Sequence, residues 1–179
     1  MMDCKRALQE NNYDIDAAID HLREKGKARA AKKAGREAKE GLVYSYIHPG
    51  ERLGVLLEIN CETDFVARTE EFQNLVSETA MQIAATDPRW IKPDDVAQDD
   101  IDREKEIFRK QLEEEGKAGE IVEKIITGKM KKFYSENCLL EQPYIRDDKK
   151  AVKDLVQEVI AKLGENIQIS RFCRFEIGK

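Results

Sequence analysis

The chain has no long apolar run: stretches such as Val55–Leu57 are among its longest. A membrane-spanning helix needs roughly twenty apolar residues. The opening residues, Met1-Met2-Asp3-Cys4-Lys5, lack the apolar region of a secretory signal. A soluble, cytoplasmic protein without a membrane partner is the expectation. Four cysteines (Cys4, Cys61, Cys138, Cys173) lie far apart, with no CxxC pair, and His21 and His48 are the only histidines. Tetrahedral zinc needs four soft ligands held close, usually as local pairs, so no metal site is expected. The thiols are either free and buried, as suits a reducing compartment, or joined in a disulfide. The phosphate-cradling GxxxxGK[ST] loop, the GxSxG elbow, the HExxH helix and the Rossmann glycines are all missing. Acid pairs such as Asp94-Asp95 and Asp99-Asp100 sit in a highly charged stretch, where they read as solvating groups. Neither catalytic residues nor a cofactor are expected.

What is present is charge. Of 179 residues 37% are charged, with 31 Lys+Arg against 36 Asp+Glu and a net charge of −5. That balance disfavours wholesale nucleic-acid binding. The length suits one medium domain with a small appendage. Asp3–Glu10 reads as a helix, Asn11-Asn12-Tyr13 as a turn, and 14–25 as an amphipathic helix carrying Ile15, Ala18, Ile19 and Leu22 on one face. Asp14 is its expected N-cap and Gly26 its expected C-terminal stop. Two helices this short cannot enclose a core. Residues 23–39 then carry eight bases against Glu24 and Glu37. That run is either a solvated linker or a basic strip for an acidic partner or RNA, though no aromatic interleaves to stack on bases.

The period then changes. Leu42–His48 and Leu53–Ile59, separated by Pro49-Gly50-Glu51-Arg52, form a hairpin signature. Ile167, Ile169, Cys173, Phe175 and Ile177 alternate as a third strand. Between them lie a helix near Thr69–Ala85, an acidic helix within Asp94–Gly116, a helix bearing Ile121 to Phe133, and a last helix from Val152 to Leu163 stopped by Gly164. The fold class is α+β: a small antiparallel three-stranded sheet packed with helices. Two helices meeting around Gly116–Gly119 suit an antiparallel hairpin at about 99–134.

One segment stands apart: Asn60-Cys61-Glu62-Thr63-Asp64-Phe65-Val66-Ala67-Arg68, directly after the second strand. Residue chemistry alone favours a plain connection, with Phe65 stapled to the core and Asp64 capping backbone amides. The alternative is a loop that presents an acid beside an aromatic.

This segment closely resembles the signature of bacterial elongation factor Ts, the family of nucleotide exchange factors for elongation factor Tu. Further blocks resemble the same family in the same order: Met1–Leu8, Lys124–Phe133, Leu139–Tyr144 and Arg171–Gly178. The resemblance implies a short, single-core member that lacks the start of its N-terminal module. In the family that module is a three-helix, ubiquitin-associated-like bundle, and this chain matches from the second helix. The implied organisation is a truncated ubiquitin-associated-like module at 1–26, a basic linker at 27–40 and the family core at 41–179.

The resemblance also implies a mechanism. Thr63, Asp64, Phe65 and Val66 would enter elongation factor Tu beside its magnesium site, with Phe65 as a wedge and Asp64 disturbing the metal's shell. GDP then leaves and GTP rebinds. Met2, Cys4, Leu8 and Ala67 are further candidate contacts, and Met2, Cys4, Leu8, Ile15 and Ile19 would be exposed for want of a packing partner. Short members tend to form homodimers, which makes Cys173 either an interface residue or a buried one, since it alternates with Ile169 and Phe175, which are expected to face the core. Partners implied are elongation factor Tu, GDP-bound or nucleotide-free, and a second copy, with no direct nucleic acid. The competing class is a chaperone-like or adaptor protein with little exchange activity because its N-terminal module is incomplete.

Overall fold

The computed structural model describes residues 2–179, apart from the side chain of Glu120. Met1, the first residue of the N-terminal block, lies outside the described residues. The chain forms two compact units, Met1–Ala80 with Lys153–Lys179, and Met81–Val152.

The first unit opens with helices α1 (Met2–Glu10) and α2 (Ile15–Ala31), joined by a turn in which Asn12 and Tyr13 take positive φ. Asp14 caps α2 as expected, its carboxylate accepting from the Ala17 amide at 3.0 Å. The expected stop at Gly26 is overturned: α2 runs on to Ala31. Gly26 faces helix α7 (Val152–Leu163), where a Cβ would lie 3.6 Å from the Ala161 Cβ, and Lys27 pairs with Asp154 at 2.9 Å. Packing against α7 thus supports a turn that glycine propensity alone would end. Most of the basic run is spoken for within the chain: besides Lys27, Lys25 pairs with Glu10, Arg29 with Asp3, Arg36 with Glu62 and Lys39 with Glu37.

Strands β1 (Glu40–Ile47), β2 (Leu53–Cys61) and β5 (Ile167–Glu176) make a three-stranded antiparallel sheet with β2 in the centre. Val55, Leu57 and Ile59 are buried, as are Phe72, Leu75 and Val76 on helix α4 (Glu70–Thr86) and Val156 and Ile160 on α7. Gly41 is the closest backbone approach. At φ +143°, a Cβ there would sit 2.1 Å from the Ile59 carbonyl oxygen. Gly164 ends α7 in the left-handed region, as the sequence implies.

One expectation about β5 is corrected. The register shifts between Glu58 and Ile59: Ile59 faces Ile169, but Glu58 faces Arg171. The extra residue, Ser170, is a bulge, and it exchanges the two faces of the strand beyond it. Ile167 and Ile169 therefore share the core face with Phe172 and Arg174. Cys173 and Phe175 point the other way, Phe175 being 72% exposed.

The second unit is built on a helical hairpin, α5 (Gln98–Glu114) and α6 (Glu120–Asn137), turned by left-handed Gly116 and Gly119. Its seam buries Leu112, Val122, Ile126 and Met130, flanked by Ile101, Phe108, Ile125, Phe133 and Tyr134. Buried Gln82 and Gln142 satisfy each other and their surroundings. Gln82 Nε2 donates to Gln142 Oε1 and to the Pro143 carbonyl, and its Oε1 accepts from the Ile145 amide. A two-stranded ribbon, β3 (Pro143–Tyr144) with β4 (Asp147–Ala151), was not expected; its strands are too short and polar to carry an alternation signal.

The two glycines separate helix from strained strand. Gly26→Ala should raise stability by about 0.5–1 kcal/mol, because alanine is the better helix former and the contact is ordinary. Gly41→Ala should lower it by about 1–3 kcal/mol, because the conformation and the Ile59 oxygen both oppose a Cβ. Urea denaturation of both variants checks the opposite signs.

Candidate partner-binding loop

Strand β2 ends at Cys61, and one residue pair later Thr63 starts a four-residue helix, α3 (Asp64–Ala67), that leads into α4. Thr63 is extended (φ −132°, ψ 154°), and its Oγ1 accepts from the Val66 amide at 3.4 Å. Thr63, and not Asp64, is thus the cap. Asp64 instead pairs with Arg68, its Oδ2 accepting from Nη2 at 2.8 Å on the outer surface. Thr69 continues the turn, donating to the Val66 carbonyl and accepting from the Phe72 amide.

Burial sorts the segment into anchors and a projecting group. Cys61, Val66 and Ala67 are buried, Ala67 at 5% exposure, so the Ala67 side chain faces its own fold. Phe65 is 77% exposed. The plain-connection expectation, with Phe65 stapled to the core, is therefore overturned. Of the helix-pair candidates, Met2 and Cys4 are exposed and Leu8 is half-buried, while Ile15 and Ile19 are exposed. Cys173 is half-buried, and Cys61 and Cys138 are fully buried. All four cysteines are free thiols. Burial pushes the Cys61 thiol up to about 11, with the Glu165 charge adding to the effect. Among the described residues no cluster of three or more His, Cys, Asp or Glu could hold a metal ion.

The loop is tied to the turn between α7 and β5, a hundred residues downstream. Glu165 Oε2 accepts from the amides of Glu62 (3.1 Å) and Thr63 (3.0 Å), and its Oε1 accepts from the Thr63 hydroxyl at 2.7 Å. In return Glu62 accepts from the Asn166 amide at 2.6 Å and pairs with Arg36 at 3.4 Å. Asn166, 1% exposed, closes the ring by donating to the Arg36 carbonyl at 2.6 Å. Glu165, Asn166 and Arg36 had no signal in the sequence. Each is a common polar residue, and only strand pairing brings them to residues 62 and 63.

An exposed aromatic on a fastened loop, on a scaffold of a three-stranded sheet and helices, is an arrangement suited to docking on a partner. The family is given by comparison. The family model described as Elongation factor TS matches residues 5–179. An elongation factor Ts of Caldanaerobacter subterraneus subsp. tengcongensis is 63% identical over all of this chain and 90% of its own length. Those of Fervidobacterium nodosum and Moorella thermoacetica are each 56% identical over the whole chain, covering 91% and 88% of theirs. The chain belongs to the elongation factor Ts family, and its role is that of a translation elongation factor.

The Asn166 amide, then the Arg36 charge, hold the Glu62 carboxyl below its ordinary value of 4.5. A carboxyl lowered on folding stabilises the folded form above its unfolded value and loses that contribution as pH falls through the folded one. Protection of the 62–66 amides from hydrogen exchange should therefore hold at neutral pH and decline as pH drops below 4.5. In Glu62→Gln that decline should be blunted.

Proposed function

We propose that this protein binds elongation factor Tu, in its GDP-bound and nucleotide-free forms, and promotes GDP release through the segment Thr63–Val66. The observation that carries the reading is the 77% exposure of Phe65 on a loop whose neighbours are buried or hydrogen-bonded. Removing a phenyl ring from water is worth roughly 1.5–3 kcal/mol, which strongly favours insertion into an apolar slot. Asp64, half-exposed beside it, supplies negative charge close to where the partner holds magnesium. Val66 and Ala67 act from beneath, as anchors of α3.

No covalent chemistry is required. The factor only has to bind better to a partner conformation whose magnesium and phosphate contacts are broken. Linkage makes the effect reciprocal: whatever factor of affinity GDP loses when this protein binds, this protein loses when GDP binds. GTP then reloads the partner by mass action. The helix pair α1 and α2, with Met2, Cys4 and Leu8, adds grip as the family's N-terminal module, residues 32–39 form its connection, and the core begins at β1. The location is the cytoplasm; among the described residues no helix is long and apolar enough to cross a membrane.

A homodimer is part of the same reading. Beyond the bulge, Val43 and Ile47 on β1, Leu56 on β2 and Cys173 and Phe175 on β5 occupy one face of the sheet, and all but Cys173 are classed as exposed. Apolar side chains exposed together on one sheet face, with Ser45 and the Glu58–Arg171 pair among them, favour association with a second copy.

Two variants check this. Phe65→Ala should slow release of a fluorescent GDP analogue from elongation factor Tu by about thirtyfold or more, as expected for a central aromatic anchor. Its stability should stay within about 0.5 kcal/mol, because the ring is exposed. In sedimentation equilibrium, Phe175→Glu should convert a dimer into a monomer with an unchanged far-UV spectrum; a monomeric parent chain would defeat the dimer reading alone.

A further inference from the structure

A wedge of four residues is too short to hold its own shape. Helix α3 has one turn, and an isolated turn of this length is unstable in water, since nucleation fixes several residues for a single hydrogen bond. Something outside the segment must therefore hold Phe65 outward, and among the described residues only one side chain reaches the start of α3 from elsewhere with more than a single bond.

That side chain is Glu165. Its two oxygens receive three donors: the Glu62 and Thr63 amides and the Thr63 hydroxyl. The hydroxyl is thereby oriented. With its proton committed to Glu165, its lone pair is turned to the Val66 amide, which is the cap of α3. Glu165 in turn is placed by its neighbours. Gly164, at φ +77°, ends α7 just before it, and the Asn166 amide beyond it is fastened to Glu62. Three donors gathered on one side chain suit a tether that must hold a loop against the pull of a partner.

We infer that Glu165 is a positioning residue of the exchange reaction: through Thr63 it sets α3 and so presents Phe65 in the geometry that the partner receives. This rests on the reading that Phe65 is the wedge. Glu165 does not touch the partner. Without it the loop samples the presented geometry for only part of the time, and the fraction of productive complexes falls with that population. The remaining binding surfaces are unaffected, so the loss appears in the maximal exchange rate more than in the concentration that half-saturates it.

The test uses the full chain. Release of a fluorescent GDP analogue from elongation factor Tu is followed against increasing factor for Glu165→Ala, Glu165→Gln, Phe65→Ala and the double variant Glu165→Ala/Phe65→Ala. Hydrogen exchange of the 62–68 amides is measured beside it. Expected are a plateau rate about tenfold lower for Glu165→Ala, with protection lost in 62–68 and kept in β2. Glu165→Gln, whose carbonyl still accepts and whose amide can donate to the Thr63 oxygen, should stay within about twofold of the parent. The double variant should be no slower than Phe65→Ala alone, since Glu165 acts through that ring. A double variant slowed by the full additional factor would overturn the inference, because Glu165 would then act independently of Phe65. So would an unchanged plateau for Glu165→Ala while Phe65→Ala is slow, which leaves the wedge standing. A full rate for Phe65→Ala would instead remove the wedge, and this inference with it. If the alanine chain does not fold, Glu165→Asp, one methylene short of Thr63, must slow the plateau; the parent rate there would overturn the proposal.

Discussion

Strand β2 is paired along its whole length on both sides, with β1 from its own hairpin and with β5 from the far end of the chain. Everything that projects from the first unit depends on that second pairing. It carries the turn at Glu165 and Asn166 to the end of β2, where Cys61 faces Ile167 across the ladder. Without it the Glu62 and Thr63 amides would have only water to meet, and the loop would carry no fixed shape. A non-local pairing of this kind is entropically expensive to form, and burial of Leu57, Ile59, Phe72 and Leu75 is the offsetting term.

The loop divides its work between residues that hold and a residue that projects. Thr63 accepts from below and donates sideways; Val66 and Ala67 fill the core; Asp64 stays at the surface, within reach of Arg68. What remains is a phenyl ring in water. An exposed aromatic is unfavourable unless a partner covers it, and its support by buried and charged neighbours makes it more than a stray surface residue. The Asn60 side chain extends the support to the other flank, donating to the Glu40 carbonyl and lying against Ser170 at the bulge.

That bulge has a second effect. It leaves the core face of β5 continuous across the register shift, and it turns Cys173 and Phe175 outward beside Leu56 and Val43. One inserted residue thus gives a sheet that is buried on one side and carries Val43, Ile47, Leu56 and Phe175 exposed on the other, beside the Glu58–Arg171 ion pair. The second unit follows simpler rules. Its hairpin seam repeats at helical spacing, its turn glycines take left-handed angles, and both buried glutamines are hydrogen-bonded through oxygen and nitrogen.

Local patterns in the sequence carried the helices, the β1–β2 hairpin and the third strand, because each rests on periodicity or on a cap. Asp14, Gly116 and Gly164 behave as their chemistry dictates wherever they stand. The segment Asn60–Arg68 was also legible, as a family signature, but its geometry was not. Residue chemistry favoured a stapled Phe65, and the ring is exposed. Gly26 read as a stop, and packing on α7 carries the helix through it. Phe175 read as core by alternation, and a bulge that leaves no mark in composition turned it to solvent. The tether at Glu165 could not be seen at all, since hydrogen bonds across a hundred residues have no local pattern. Short-range energetics belong to the sequence; the partners of Thr63, and so the presentation of Phe65, exist only once the sheet has closed.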